Sequence, residues 1–283
     1  LYLPAPQDKS DYKSLDNKPL GSHTFDSIKD CRKFVDSYDG TVNYSILGNR
    51  NYVSQYITET YPNLQWDSTK IKIYNIDIET SIDNGFPDIR TANSAITSIT
   101  IYCSIEKTYF VFGTGDYIPD QADKFISYFK CDDEHEMMEV FLDWWKNNIP
   151  DIITGWNCKF FDIPYIVNRL ERLGLESKLL SPIKNLYEKN IIIAGQENQT
   201  YLITGISILD YLDLYKKYTY KVRESYRLDY IGKVELNLRK DQNETPGYEL
   251  YKTDYQSFIN YNIRDVEIVK KLDDKMKLLN LVI

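Results

Sequence analysis

The chain has 283 residues, 27% of them charged and 42% hydrophobic, which excludes global disorder and fits one large domain or a principal domain with a smaller companion. Its 34 Lys and Arg against 42 Asp and Glu leave a net charge of −8. That balance argues against nucleic-acid binding unless the acids are gathered to hold cations, because phosphate then meets the cation rather than the carboxylate. No apolar run approaches the roughly 18 residues of a membrane helix, so a soluble, cytoplasmic protein with no membrane partner is expected. Cys31, Cys103, Cys131 and Cys158 have neither zinc-site nor disulfide-scaffold spacing, and His23 and His135 are the only histidines, which leaves little room for histidine-based chemistry. The opening Leu1-Tyr2-Leu3-Pro4 lacks an initiator Met and a signal-peptide layout, and reads as a piece cut from something longer.

Residues 1–66 are polar, then mixed, and are expected to form a small, partial N-terminal domain with Phe34, Val35, Tyr44, Ile46 and Leu47 as candidate anchors. Residues 67–283 form the principal domain. Its first strand is predicted over Ile71–Glu79, which is β-branched and aromatic, with further strands over 96–104 and 107–112. A helix follows over 134–147, then a short buried strand from Asp151 to Trp156 and a helix over Asp162–Leu173 stopped by Gly174. Two apolar runs around Gly195–Thr200 predict a hairpin with a polar tip, and a strand is expected over Ile206–Leu209. A Lys- and Tyr-rich helical stretch and a long terminal helix complete the chain. The alternation of strands and helices defines an α/β fold.

Alternation along the first strand places Asp77 and Glu79 on one face with Ile71 and Ile73, and Tyr74, Ile76 and Ile78 on the other. A strand apolar on both faces belongs at the centre of a sheet, where two carboxylates are costly unless a cation binds them. D-x-E alone is uninformative, because Asp132-x-Glu134 and Asp265-x-Glu267 also fit it. The second element, Trp156-Asn157-Cys158-Lys159-Phe160-Phe161-Asp162, puts Asp162 at a helix N-terminus, where a plain N-cap and a metal ligand are both open readings. In the terminal helix, Thr253-x-x-Gln256 can form a capping box, and Tyr261 and Asp265 are i and i+4 on one face.

D-x-E ending a strand, N-x-x-x-F-D opening a helix and Y-x-x-x-D on a later helix follow the order of the DEDDy 3′-to-5′ exonuclease motifs. From about residue 67 onward the chain resembles the exonuclease region of family B DNA polymerases, of the T-even bacteriophage type in particular. Phe160–Ile166, Gly205–Lys217 and Asn260–Asp265 carry the likeness. It extends faintly to Ser27–Asp30 and Tyr52–Thr60, which look similar to that family's first domain.

The resemblance implies an RNase H-like (DnaQ-like) fold, a mixed central sheet flanked by helices. It also implies two divalent ions, Mg²⁺ or Mn²⁺, held by Asp77, Glu79, Asp162 and Asp265, with Tyr261 orienting the attacking water. By the same likeness Asn157, Phe161, Phe86 and Lys240 contact DNA, although for Phe86 loop packing is an equal reading. The implied substrate is a single-stranded 3′ end or a primer–template, and the implied partners are polymerase domains of a parent chain or of a split subunit. Neither D-x-x-S-L-Y-P nor Y-G-D-T-D-S occurs, so palm, fingers and thumb are absent and no polymerisation is expected from this chain. A binding module without catalysis and a free-standing degradative nuclease are the competing readings. The basic, tyrosine-rich segment Leu214–Arg227 reads equally as a DNA-tracking stripe or as a solvated helix face over buried tyrosines.

Overall fold

The computed structural model describes residues 1–42, 44–48, 51–63, 65, 67–82, 85–120, 125–193, 195–238 and 247–283. The chain divides into two compact units, Leu1–Trp66 and Asp67–Ile283.

In the first unit, β1 (Tyr2–Pro4), β2 (Tyr12–Lys13) and β3 (Pro19–Ser22) form an antiparallel sheet in the order β1-β3-β2, followed by α1 (Ile28–Ser37) and α2 (Tyr52–Thr60). Ser27 caps α1 by accepting from the Asp30 amide at 3.1 Å. The expected anchors are not its core. Phe34 and Tyr44 are half-buried members of an aromatic run linked through Tyr38, and Leu47 is exposed; among the described residues the buried apolar ones are Leu1, Leu20 and Cys31. A unit this small has too little interior to bury every apolar side chain.

The second unit is built on β4 (Ile73–Thr80), β5 (Ile96–Cys103), β6 (Thr108–Gly113), β7 (Phe125–Lys130), β8 (Ile152–Thr154) and β11 (Ser207–Ile208), in the order β11-β8-β4-β5-β6-β7. β5 is antiparallel to both β4 and β6, whereas β8 pairs in parallel with β4 and β11, and β7 in parallel with β6, so the sheet is mixed. This is an α/β, RNase H-like arrangement. β7 was not among the expected strands. The helices are α3 (Glu134–Asn147), α4 (Asp162–Arg172), α5 (Tyr211–Tyr218), α6 (Leu228–Leu236), α7 (Gly247–Thr253), α8 (Tyr255–Met276) and α9 (Leu278–Val282).

β5 is buried at all eight positions because helices cover both faces of the sheet. On one face Tyr74, Ile76 and Ile78 of β4 join Phe141 and Trp145 of α3 and Ile163 and Ile166 of α4 in the main core. Arg169 of α4 bonds Glu134 at the start of α3, and Glu134 also accepts from the Ile96 amide, tying both helices to β5. On the other face Phe258, Ile259, Ile263 and Val266 of α8 pack against Tyr102, Tyr109 and Val111. All four cysteines are buried and unpaired.

Several local expectations are corrected. The hairpin pairs β9 (Leu186–Ile193) with β10 (Gln196–Ile203), so the supposed polar tip belongs to β10 and the chain reverses at Gly195, whose φ of 80° suits glycine. The cap of α8 is Asp254, which accepts from the Ser257 amide at 3.1 Å, whereas Gln256 is drawn away to bond the backbone of Ile118. The Lys- and Tyr-rich helix stops at Tyr218, and Tyr220 adopts φ 53° with its ring 90% exposed. Tyr215 is the stripe's fully buried tyrosine.

Gly155 ends β8 and turns the chain toward α4. A Cβ there would lie 2.5 Å from the Ile76 carbonyl oxygen and 2.9 Å from the Cys158 Cβ. Gly155→Ala should therefore cost about 3 kcal/mol in a urea unfolding experiment, because the obstruction is backbone that cannot step aside.

Candidate active site

Asp77 and Glu79 project from the β4 face that meets α8, as the alternation predicts, and Asp265 faces them from α8. One carboxylate oxygen of each of Asp77, Glu79 and Asp265 lies within 4.8 Å of the others. All three remain partly exposed, and Glu79 and Asp265 border a cleft of about 730 Å³ together with Tyr261, Arg227, Lys233 and Tyr248.

Asp162 reaches the cluster by another route. β8 pairs with β4 only as far as Asn75↔Thr154 and then breaks at Gly155, so the edge of β4 beyond Asn75 lacks a strand partner on that side. The Asp162 Oδ1 fills the gap, accepting from the Ile78 amide at 2.9 Å. This corrects the N-cap reading: Phe161 occupies the cap position, and Asp162 is the first residue of α4. Asp162 stands outside the trio defined by 4.8 Å spacing, yet after burial it is the largest charge acting on Asp77.

Burial raises the proton affinity of all four carboxyls, and at Asp77 and Glu79 the other acids of the set add to it. Burial first, then the charges of Asp162, Asp265 and Glu79, push Asp77 well above the usual carboxylate range. Burial and the neighbouring acids bring Glu79 to about 8. Burial carries Asp162 to about 7 against the Ile78 hydrogen bond, and Asp265 to about 7 against the offsetting charge of Arg264. Such a set is unfavourable without a cation and is made of the hard oxygen donors that Mg²⁺ and Mn²⁺ prefer, so the residues fit divalent metal binding. Burial, then Asp265, Glu79 and Asp77, hold Tyr261 as a neutral phenol, which suits a hydrogen-bond donor.

Three supporting residues escaped the sequence reading. Asn262, fully buried, donates from Nδ2 to the Asp77 Oδ2 at 2.6 Å. Its neighbours Tyr261 and Asp265 were singled out, and its position one residue after Tyr261 was the available signal. Asp210 caps α5 and accepts from the amides of Asn157 at 3.2 Å and Lys159 at 2.9 Å, fixing the loop that delivers Asp162. Gly247 leaves room for Tyr261, since a Cβ there would come within 3.1 Å of the phenol ring and 3.5 Å of the Glu79 Oε2.

The expected DNA contacts are placed unequally. Asn157 holds the left-handed conformation, φ 66°, that asparagine tolerates. Phe161 is half-buried, stacked on Tyr165 with ring centroids 5.7 Å apart, and leans on the main core. Phe86 is 96% exposed, which removes loop packing as its explanation. Lys240 lies outside the described residues.

A mixed sheet with helices on both faces, carrying clustered carboxylates beside an open cleft, defines an RNase H-like exonuclease domain. The family described as DNA polymerase family B, exonuclease domain, matches residues 40–231. The chain is 32% identical to the DNA-directed DNA polymerase of Escherichia phage RB69, over 95% of this chain and 33% of that protein. It is 32% identical to that of Enterobacteria phage T4, over 98% and 34% respectively. The DNA polymerase delta catalytic subunit of Plasmodium falciparum is 28% identical over 73% of this chain and 20% of its own length. The chain belongs to DNA polymerase family B and carries its exonuclease domain. It spans about a third of the length of the two phage relatives. Among the described residues no helix is long and apolar enough to cross a membrane.

Proposed function

We propose that the chain hydrolyses the 3′-terminal phosphodiester of single-stranded DNA as the proofreading exonuclease of a phage-type family B polymerase, working in the host cytoplasm. On this reading residues 67–283 are the catalytic domain and residues 1–66 a partial N-terminal domain. Polymerase domains, in the same chain or in a separate subunit, are the partners. The observation that carries the proposal is the convergence of Asp77, Glu79 and Asp265, from β4 and α8, within 4.8 Å of one another, with Glu79 and Asp265 on the wall of a cleft.

Asp77, Glu79 and Asp265 would hold one divalent cation, with Asp77 shared to a second that Asp162 helps to hold. When bound, a pair of Mg²⁺ or Mn²⁺ ions activates water and stabilises the attacking and leaving oxygens of an in-line displacement. The protein's own groups do the positioning. Tyr261, kept protonated, donates a hydrogen bond that orients the attacking water. Arg227 and Lys233 place positive charge along the cleft wall, where an incoming phosphodiester needs it. Phe86 presents a bare aromatic face on which a terminal base can stack without regard to sequence, and Asn157 offers its side chain from the loop before α4.

The test is incubation of 5′-labelled single-stranded DNA with Mg²⁺. A ladder shortening from the 3′ end is expected, abolished by EDTA and nearly absent with Asp77→Ala. Internal cleavage, or activity that survives EDTA, would overturn the proposal. DNA retention with no cleavage under any divalent ion would favour a binding module instead.

A further inference from the structure

Asn262 is completely buried on the face of α8 that also carries Phe258, Ile259, Ile263 and Val266, where a leucine would pack without leaving a polar group to satisfy. Both ends of its amide are nonetheless engaged. The Ser98 and Thr100 hydroxyls each donate to its Oδ1 at 2.5 Å, and its Nδ2 donates to the Asp77 Oδ2 at 2.6 Å. Ser98 and Thr100 stand directly across the β4–β5 pair from Glu79 and Asp77, and both are wholly buried.

When Asp77 is ionised, as cation binding requires, these contacts allow only one orientation of the amide. An ionised carboxylate accepts and cannot donate, so the group turned toward Asp77 must be the NH₂, and the two hydroxyls are free to donate to the oxygen behind it. The reverse flip would set oxygen against oxygen. With the amide held, the Oδ2 of Asp77 is held as well. One oxygen is tied to Asn262 while the group stays within reach of Glu79 and Asp265.

We infer that Asn262, backed by Ser98 and Thr100, is a positioning residue that presents Asp77 to a divalent cation. The inference rests on the two-cation reading above and deepens it. Outer partners of metal ligands act in this way, by fixing ligand orientation before the ion arrives.

The test is titration of the full chain with Mn²⁺ by calorimetry or electron paramagnetic resonance, alongside kcat and KM on single-stranded DNA. Asn262→Leu should weaken Mn²⁺ binding by roughly 10- to 100-fold and lower kcat while leaving the KM for DNA unchanged. Ser98→Ala with Thr100→Val keeps the amide but frees it to turn, and should weaken Mn²⁺ by roughly 3- to 10-fold. This second variant carries the test if Asn262→Leu does not fold. Folded variants that bind Mn²⁺ within about twofold of wild type overturn the inference while leaving the proposed function intact. A wild-type chain that binds no Mn²⁺ overturns both.

Discussion

Asp77→Asn should lower single-turnover hydrolysis of a 3′ end by about 10⁴-fold, an expected loss of roughly 5 kcal/mol in transition-state stabilisation. The substitution is nearly isosteric and retains an oxygen to accept the Asn262 amide, so the local packing survives while the charge disappears. Asp77 is the residue expected to be shared between both cations, and its neutralisation should therefore disable the pair together. For the same reason Asp77→Asn combined with Asp265→Asn should be little worse than Asp77→Asn alone, because residues that act as one unit do not lose activity additively. Single-turnover kinetics on a short labelled oligonucleotide would check both expectations. Two losses that multiply would show that the carboxylates work independently.

The second large effect concerns stability without metal. In the unfolded chain Asp and Glu titrate near ~4, whereas in the folded protein Glu79 is raised to about 8 and Asp162 and Asp265 to about 7. Between these limits the folded state binds more protons than the unfolded one. The cluster's contribution to stability is thus fully present below the unfolded values and is lost as pH rises toward and through 7 to 8. Allowing for solvent on the open side of the cleft, the loss from pH 6 to pH 8.5 should amount to about 2–4 kcal/mol, or a fall in Tm of about 5–10 °C in EDTA. Added Mn²⁺ should restore most at pH 8.5, where the carboxylates are ionised and need a cation. Asp77→Asn, which removes one of the repelling charges, should flatten the profile and raise the metal-free Tm at high pH. Differential scanning calorimetry with and without EDTA decides the matter. A Tm that climbs toward pH 8.5 in EDTA would mean that the carboxyls do not repel one another in the folded protein.

These expectations rest on features that the sequence shows unequally. Asp77 and Glu79 were assignable to one face from the period of a strand, and Tyr261 and Asp265 to one face from the turn of a helix, because each pair lies within a single regular element. The cap of α8 was misplaced by one residue, since a capping box and an aspartate cap differ only by which side chain is free, and Gln256 is claimed by Ile118, 138 residues away in sequence. Polar residues on an exposed strand resemble a turn, so the sequence predicts a tip over 195–200, whereas among the described residues Gly195 marks the reversal.

The sequence by itself determined the α/β class, the cation-seeking character of the acids and the pairing of Asp77 with Glu79 and of Tyr261 with Asp265, since local periodicity and charge suffice for each. Only the tertiary structure decided that α8 applies its acidic face to β4, that the short β8 leaves an open strand edge for Asp162 to complete, and that Asn262 holds Asp77. Those contacts join residues 84 and 185 positions apart. They depend on which strand ends first and on which helix face the core buries, and both follow from the packing of the whole sheet rather than from any one segment.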